Sequence, residues 1–352
     1  MMNVKLDESA LKKFAPVKRR AVVSSGEGLV KTEFLVPGKT LPLMVQPLMP
    51  GINLAEWAAN QANFIQQCLS ETGAILFRNF KVRNAAEFEQ VVKAASASEL
   101  LPYKERSSPR SKVEGNVYTS TDYPSDQSIF LHNENSYQHT WPLKIFFYCA
   151  LPAQQGGETP IADTRRIFMR IPDHIRDRFI EKQWRYVRNF NGRFGLPWQT
   201  VFQTEDKAKV EEYCRNNGIE VEWKGDRLKT WAIRPAVVKH PRTGAELWFN
   251  HATFFHVTTL SPSVRDVFLA TIKEEDLPTN TYYGDGSPIE PETLDELRRT
   301  YEEETVAFPW QEGDILMLDN MRAAHGRAPY VGPRKILVGM TEPFSRTDLA
   351  NL

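Results

Sequence analysis

The feature that most constrains the fold is a series of short runs rich in aromatic and β-branched residues, each bounded by turn-forming residues. Runs of this kind are typical of β-strands. They do not alternate regularly with long helices, so the pattern disfavours a doubly wound parallel sheet and predicts a mainly β, largely antiparallel core. The runs span residues 128–134, 144–151, 183–190, 229–240, 245–256, 313–320 and 334–342.

Helices are predicted as insertions around these strands. Residues 53–73 begin with Asn53, a good N-cap residue, carry apolar residues at helical spacing and close on Gly73, so they predict one amphipathic helix. Residues 74–80 then predict a buried strand, and residues 85–96 a second helix. Further helices, several with Pro, Ser or Asp near their starts, are predicted at residues 172–183, 205–218, 261–276 and 291–304.

The predicted compact domain begins near Leu41. Residues 1–40 mix charges with turns that contain glycine and proline and show no sustained period, which predicts an extended N-terminal arm. No repeat of fixed period and no low-complexity linker divides the rest of the chain. Residues 41–352 are therefore predicted to form a single domain.

Composition narrows the class of partner. The 44 basic and 44 acidic residues cancel, so no global field attracts nucleic acid or an anionic membrane surface. The three cysteines are widely spaced and outside any CxxC pattern, which fits neither a disulfide framework nor a structural zinc site. The charged N-terminus lacks a following apolar run, and no stretch approaches the roughly 18 apolar residues of a membrane span. A cytoplasmic protein that binds neither nucleic acid nor membranes is expected.

A candidate metal pair lies in the stretch LHNENSY. If His132 and Glu134 share a strand, their side chains point to the same face about 6.6 Å apart along the backbone, so both can reach one ion. About one such pairing is expected by chance in this composition, so the spacing alone favours a surface strand with a hydrogen-bonded His and a solvated Glu. A third ligand is needed, and His325 is the candidate because it lies between a predicted strand and a turn rich in glycine and proline. The other histidines lie in ordinary settings: His139, His174, His240, His251 and His256.

Three ordered motifs carry a resemblance to a known family. The stretches LHNENSY, GGETPIADTR and HGRAPYVGPR, taken together, resemble the iron(II)/2-oxoglutarate-dependent oxygenases of the taurine dioxygenase and clavaminate synthase-like superfamily. The resemblance covers roughly residues 41–344. The residues of the three motifs are most similar to those of the hydroxylases of the syringomycin-biosynthesis type. It implies a double-stranded β-helix, or jelly-roll, core and a dioxygenase that consumes 2-oxoglutarate and O2.

The resemblance also implies roles for single residues. His132, Glu134 and His325 match the ligands of Fe(II), whose remaining positions take 2-oxoglutarate and O2. Arg334 and Thr159 match the residues that bind the far carboxylate of 2-oxoglutarate, to which a guanidinium fork is well suited. Without the motif around it, Arg334 reads as the cation of a salt bridge at the start of a strand.

The resemblance implies the class of substrate more coarsely. A carboxylate at Glu134 is typical of members that hydroxylate rather than halogenate, and Glu in place of the commoner Asp recurs in enzymes that act on amino acids and their derivatives. We therefore expect hydroxylation of an unactivated C–H bond in an amino acid or related small molecule, free or bound to a carrier protein, in antibiotic or other secondary-metabolite biosynthesis. Arg322, ahead of Arg327, and Asn135 and Tyr137 are the candidate substrate contacts.

Other readings of the same residues remain open at this point. A His2Glu set also binds the zinc of some hydrolases, although the helical HExxH motif is absent. A noncatalytic jelly-roll binding protein would keep the fold without the reaction, and a desaturase or cyclase of the same superfamily would keep the cofactors and change the outcome.

Overall fold

The computed structural model describes residues 29–102, 112–121, 123–192 and 195–351. In these ranges the strands are β1 (Val30–Phe34), β2 (Leu43–Pro47), β3 (Ala74–Phe77), β4 (Lys112–Glu114), β5 (Val117–Thr119), β6 (Ile129–His132), β7 (Thr140–Leu151), β8 (Gln155–Gly156), β9 (Ile161–Asp163), β10 (Trp184–Phe190), β11 (Glu220–Lys224), β12 (Arg227–Arg234), β13 (Val237–Lys239), β14 (Glu246–Trp248), β15 (Thr279–Tyr283), β16 (Ile315–Asp319), β17 (Ala323–Arg327), β18 (Tyr330–Val331) and β19 (Lys335–Ser345).

The helices lie between and around these strands. They are α1 (Leu54–Asn60), α2 (Ala62–Thr72), α3 (Ala85–Ser96), α4 (Thr164–Arg170), α5 (Asp173–Lys182), α6 (Trp198–Phe202), α7 (Lys207–Asn216), α8 (Pro262–Thr271), α9 (Pro291–Glu304) and α10 (Arg346–Ala350), with short 3-10 helices at Val257–Thr259 and Glu274–Asp276.

The largest sheet has eight strands in the order β1, β2, β3, β16, β7, β19, β5, β4. Every neighbouring pair in it is antiparallel except β2 and β3, which run parallel. A smaller sheet of β6, β17 and β9 carries two of the candidate ligands, His132 and His325. The prediction of a mainly antiparallel core with inserted helices is confirmed.

The two faces of the main sheet bury different cores, as the two-residue period of a strand requires. On β7, Phe146 packs in the cluster formed with α1, α2 and α3, whereas its neighbour Phe147 packs in the cluster on the opposite face. That second face is the one that reaches the small sheet, because the rings of Phe147 and His325 lie 4.9 Å apart between centroids. The main sheet therefore forms the rear wall of the candidate site.

The region predicted as one helix from Asn53 to Gly73 is two helices. The Asn53 side chain caps α1 as predicted, since its Oδ1 accepts hydrogen bonds from the N–H groups of Ala55 and Glu56. Gly73 closes α2 in the left-handed conformation, with φ of 79°. The helix is interrupted at Gln61, which lies outside the helical conformation with φ of −120°. The helical spacing of apolar residues continues across this break, so the sequence predicted a single helix.

The described chain begins before the predicted domain boundary. Strand β1 pairs with β2 in the main sheet, so residues 30–34 of the predicted arm belong to the compact structure. Residues 1–28 of the predicted arm lie outside the described residues. None of the helices in the described ranges is long and apolar enough to cross a bilayer.

Candidate metal and cosubstrate site

Three predicted ligands come together in the structure. One candidate ligand atom each from His132, Glu134 and His325 lies within 4.8 Å of the other two. The His325 Nε2 and the Glu134 Oε2 are 3.9 Å apart, and the imidazole centroids of His132 and His325 are separated by 4.6 Å. Glu134 and His325 are buried and His132 is half-buried. No other group of three His, Cys, Asp or Glu side chains in the described ranges has this proximity.

Strand pairing places the two histidines. His132 on β6 and His325 on β17 are direct partners in an antiparallel register. Gly326 permits this close pairing, because a Cβ atom there would lie 2.6 Å from the Ile129 carbonyl oxygen. Side chains directly opposite each other on antiparallel strands are the closest cross-strand neighbours. The backbone alone therefore brings two imidazoles to one point.

Glu134 reaches the same point by a different route from the one predicted. Strand β6 ends at His132, and Glu134 lies in the following turn. The predicted geometry, in which His132 and Glu134 share one face of a strand, was therefore wrong, although their side chains do converge. The chain leaves the sheet after His132 and turns, which brings the carboxylate to the imidazoles.

The hydrogen bond of His132 selects its tautomer. Its Nδ1 lies 2.9 Å from the Phe130 carbonyl oxygen. A carbonyl oxygen accepts and never donates, so Nδ1 carries the hydrogen and the lone pair of the neutral ring is on Nε2. A backbone carbonyl that orients one ring nitrogen while the other faces a metal is a common arrangement in metalloproteins.

The donor set fits iron(II). Two imidazoles and one carboxylate, presented from one side, are the ligand set of non-haem Fe(II) oxygenases, and they leave coordination positions open for small molecules. The burial of Glu134 and His325 limits competition from water for these ligands.

A cavity runs from the two histidines to Arg334 and is also lined by Thr159 and Ser120. The Arg334 Nε donates to the Gly157 carbonyl oxygen at 2.9 Å, and its Nη1 lies 3.4 Å from the Ser120 Oγ. Burial and the charge of Arg327 lower the pKa of Arg334 to about 10, so the guanidinium stays cationic at neutral pH.

Arg334 forms no ion pair with a carboxylate of the described residues. Its hydrogen-bond acceptors are a carbonyl and a hydroxyl, and no acid in the described part of the chain forms an ion pair with it. The salt bridge that sequence alone suggested is thus missing from these residues. A buried cation at the end of a cavity favours an anionic ligand. Gly157 allows the approach, because a Cβ there would lie 3.0 Å from the Arg334 side chain.

A second cavity of about 240 Å³ is lined by His132 and Glu134. Asn135 and Tyr137, the candidate substrate contacts, also line it. The remaining wall is largely aromatic, and the rings of His132 and Phe254 lie 4.5 Å apart between centroids. His132 lines both cavities, so the two cavities adjoin at a candidate ligand.

The second cavity has little charge in its described lining. Lys, Arg and Asp are absent from those residues, and Glu134 is the only acid among them. Burial lowers the pKa of His251 well below its usual value, and burial together with Arg298 lowers the pKa of His256 to about 4. Both imidazoles are therefore neutral at pH 7, and this wall suits an uncharged part of a ligand.

Arg322 does not reach either cavity, which corrects its predicted role as a substrate contact. Its side chain is buried elsewhere, where it hydrogen-bonds the Ser70 carbonyl oxygen and faces the Asp163 carboxylate at 3.4 Å. Arg327 does line the first cavity, and its guanidinium donates to the carbonyl oxygens of Tyr123, Pro124 and Gln127. Arg322 therefore serves the packing of the chain, whereas Arg327 also contributes to the wall of the first cavity.

Residues 251–256 contribute to the second cavity in a way that the sequence did not predict. They belong to a predicted strand, but β14 ends at Trp248 and this stretch forms turns. His251, Phe254, Phe255 and His256 consequently all line the second cavity. The aromatic content of the run predicted a strand, and no local signal indicated the turns.

Comparisons with known proteins agree with this geometry. The sequence model of the family described as taurine catabolism dioxygenase TauD, TfdA family matches residues 41–341. The chain is 43% identical over 280 residues to the dapdiamide synthesis protein DdaC of Enterobacter agglomerans, covering 79% of this chain and 85% of DdaC. It is 31% identical over 316 residues to a clavaminate synthase-like protein of Arabidopsis thaliana, covering 87% and 89% of the two chains.

Solved structures show the same fold. The crystal structure of PvcB from Pseudomonas aeruginosa superposes with a TM-score of 0.54 at 16% identity, covering 89% of this chain and 91% of PvcB. AAD-2, solved with Mn(II) and N-oxalylglycine, gives a TM-score of 0.50 at 12% identity, with 89% and 97% covered. The predicted jelly-roll fold is confirmed. The chain belongs to the TauD/TfdA family and is an iron- and 2-oxoglutarate-dependent dioxygenase.

Proposed function

We propose that this enzyme hydroxylates an unactivated C–H bond in an amino acid or an amino-acid-derived substrate during secondary-metabolite biosynthesis, as in the syringomycin-type hydroxylases. The observation that carries the proposal is the convergence of His132, Glu134 and His325 between two cavities, one ending at a buried cation and one lined by aromatic rings. The similarity to a dapdiamide synthesis protein supports a biosynthetic role.

His132, Glu134 and His325 would hold the iron. When bound, Fe(II) and 2-oxoglutarate would supply the activation of O2, with 2-oxoglutarate converted to succinate and carbon dioxide and the substrate oxidised. The tautomer of His132 suits this role because the Phe130 carbonyl oxygen accepts from Nδ1. The carboxylate of Glu134 occupies the position that a halogenase would leave for halide, which favours hydroxylation.

Arg334 and Thr159 would bind the far carboxylate of 2-oxoglutarate. Arg334 supplies a cation that no carboxylate in the described ranges neutralises, and the Thr159 hydroxyl already accepts a hydrogen bond from the Trp310 Nε1 at 3.2 Å. That bond occupies a lone pair of the Thr159 oxygen and leaves its hydrogen able to donate to a carboxylate oxygen. Guanidinium and hydroxyl line the same cavity, so both can act on one carboxylate.

Asn135 and Tyr137 would orient the substrate. Asn135 directly follows Glu134, has a positive φ of 59°, and its buried Oδ1 has no hydrogen-bond partner among the described residues. An unpaired buried carbonyl oxygen beside the metal site is suited to accept from an N–H group of an amino acid or amide. Tyr137 packs edge to face against Tyr186 and Phe255 and presents a rigid wall to the same cavity.

Coupled succinate release tests this proposal. The enzyme with Fe(II), 2-oxoglutarate and O2 is screened against free amino acids and their carrier-protein-bound forms, beginning with aspartate and its relatives, and the product is analysed by mass. A substrate that raises succinate release and gains one oxygen atom supports the proposal. Glu134→Ala is the control and should show no coupled turnover. A product that loses two hydrogen atoms instead would identify a desaturase or cyclase, and an amino acid panel without any coupled member would contradict the substrate class.

A further inference from the structure

Asn320 holds the backbone of Glu134 with its side-chain amide. The Glu134 N–H donates to the Asn320 Oδ1 at 2.7 Å, and the Asn320 Nδ2 donates to the Glu134 carbonyl oxygen at 2.9 Å. The same Nδ2 donates to the Pro142 carbonyl oxygen at 2.9 Å. Asn320 has no exposed surface, so these three bonds are made away from water, where the loss of a partner is costly.

The amide takes the place of a missing strand partner. His132 and His325 are fixed by the ladder between β6 and β17, but β6 ends before Glu134. In an antiparallel sheet, the N–H and C=O groups of one residue normally form hydrogen bonds with a residue of the neighbouring strand. Here the side chain of Asn320 satisfies both groups of Glu134. The carboxylate therefore depends on Asn320 for the backbone order that the two histidines obtain from the sheet.

The contact is reciprocal. The Asn133 Nδ2 donates to the Asn320 carbonyl oxygen at 2.6 Å, so each segment binds the backbone of the other with an asparagine side chain. The turn that carries Asn320 is itself fixed, because the Asp319 carboxylate accepts from the N–H groups of Met321 and Arg322 and pairs with the His240 Nε2 at 2.9 Å. Asn320 is thus a rigid point from which Glu134 is held.

We propose that Asn320 is a positioning residue for the metal site. It holds Glu134 so that the Glu134 carboxylate faces His325, which follows Asn320 by five positions in the chain. This inference rests on the proposed role of Glu134 as a metal ligand. Aspartate does not substitute for the amide, because its carboxylate oxygen would face the carbonyl oxygens of Glu134 and Pro142 where Nδ2 now donates. Replacement of a residue that orients a metal ligand typically lowers metal affinity by about 10- to 100-fold.

Titration with Co(II) alone, without substrate or 2-oxoglutarate, tests the inference independently of turnover. The visible absorption of Co(II) reports both its affinity and its coordination geometry. Asn320→Ala is expected to weaken Co(II) binding by about 10- to 100-fold and to change the shape of the Co(II) band, because Glu134 no longer has a fixed position.

Asn250→Ala is the matched control. Asn250 is also buried, donates to the Ala236 carbonyl oxygen and accepts from the Ala252 N–H, but it holds no candidate ligand. It should lower the melting temperature while leaving Co(II) affinity and the band within about twofold of wild type. An equal loss of affinity in both variants would mean general loosening of the structure and would overturn the inference.

Two further variants keep the outcomes distinct. If Asn320→Ala fails to fold, Asn320→Ser is titrated in its place, and a wild-type Co(II) affinity and band in whichever variant folds contradict a positioning role. Glu134→Ala tests the premise: if it binds Co(II) as the wild type does, the ligand assignment fails, whatever Asn320 does. If Glu134→Ala loses Co(II) and the Asn320 variant retains it, the ligand assignment stands and the positioning inference alone falls.

Discussion

His132 and His325 are direct partners on adjacent antiparallel strands, and their rings lie 4.6 Å apart between centroids. The sheet therefore presents two imidazoles together through backbone hydrogen bonds, before any metal binds. The third donor, Glu134, is held by a side chain instead of a ladder. Because Glu134 is held by one side chain, we expect its carboxylate to be the ligand most sensitive to substitutions of neighbouring residues.

Replacement of Glu134 by Gln should strongly weaken iron binding without unfolding the protein. The substitution keeps the shape of the side chain and its backbone bonds to Asn320 but removes the negative charge that offsets the metal. We expect Fe(II) affinity to fall by at least about 100-fold, more than the effect of a residue that only orients a ligand. Anaerobic Fe(II) titration measures this loss, with melting temperature as the check on folding. Wild-type affinity would contradict the role of Glu134.

Replacement of Arg334 by Lys should raise the KM for 2-oxoglutarate by about 10- to 100-fold, because a point charge replaces a planar fork that donates two hydrogen bonds. Fe(II) affinity in the absence of 2-oxoglutarate should stay unchanged. Steady-state succinate release at varied 2-oxoglutarate gives the KM. Arg227→Lys, at an exposed position on β12, is the control. Equal KM values for wild type and Arg334→Lys would place the cosubstrate elsewhere.

The stability of the protein should fall as pH drops from about 6.5 towards 4. Burial and Arg298 lower the pKa of His256 from 6.5 to about 4 in the folded chain, so in this window the unfolded chain binds the proton and the folded chain does not. Proton uptake then favours unfolding, and His256 alone should make the free energy of unfolding about 2 kcal/mol lower at pH 5 than at pH 7. Above pH 6.5 the effect disappears.

Urea denaturation at pH 5 and pH 7 measures this linkage. His256→Asn keeps a side-chain acceptor for the Thr258 N–H, which now donates to the His256 Nδ1, but removes the titrating group. The variant should therefore show a smaller difference between the two pH values than the wild type. An unchanged difference would show that His256 does not titrate in this window.

Arg78 and Asp314 form a buried ion pair at 2.6 Å on the main sheet, away from both cavities. Arg78→Met should lower the free energy of unfolding by about 3 to 5 kcal/mol, because it leaves a buried carboxylate without its cation. Burial already raises the pKa of Asp314 in spite of the arginine. Denaturant unfolding measures the loss, and the KM for 2-oxoglutarate should not change. A cost below about 1 kcal/mol would mean that water reaches the Asp314 carboxylate.

The sequence predicted the helices and strands more accurately than the residues at which they begin and end. Aromatic runs and cap residues located most strands and helices because these signals are local: the Asn53 amide caps a helix wherever the rest of the chain lies. The interruption at Gln61 and the end of β6 at His132 depend on what packs against those segments. Such contacts join residues far apart in the chain, and periodicity contains no information about them.

The motifs and their order in the sequence identified the candidate ligands. Most of the residues that form the walls of the cavities were not predicted. His325 stood out because of the turn that follows it, and Arg334 because of its place in the same motif. Arg322 was chosen for its charge and its nearness to His325, yet its side chain turns away to Asp163. Closeness of two residues in the sequence does not determine the direction in which a side chain points. His251 and Phe254 reach the cavity through turns that an aromatic run does not announce.

The most direct test of the account is the visible spectrum formed when Fe(II) and 2-oxoglutarate are added to the protein without oxygen. Chelation of iron by the keto acid gives a weak metal-to-ligand charge-transfer band, which needs the metal, the cosubstrate and their ligands in one place. We predict this band for the wild type at one equivalent of Fe(II), its loss in His325→Ala, and its recovery in Arg334→Lys only at much higher 2-oxoglutarate. A wild-type protein that shows no band, or a His325→Ala variant that keeps it, would contradict the assignment of His132, Glu134 and His325 as the iron site.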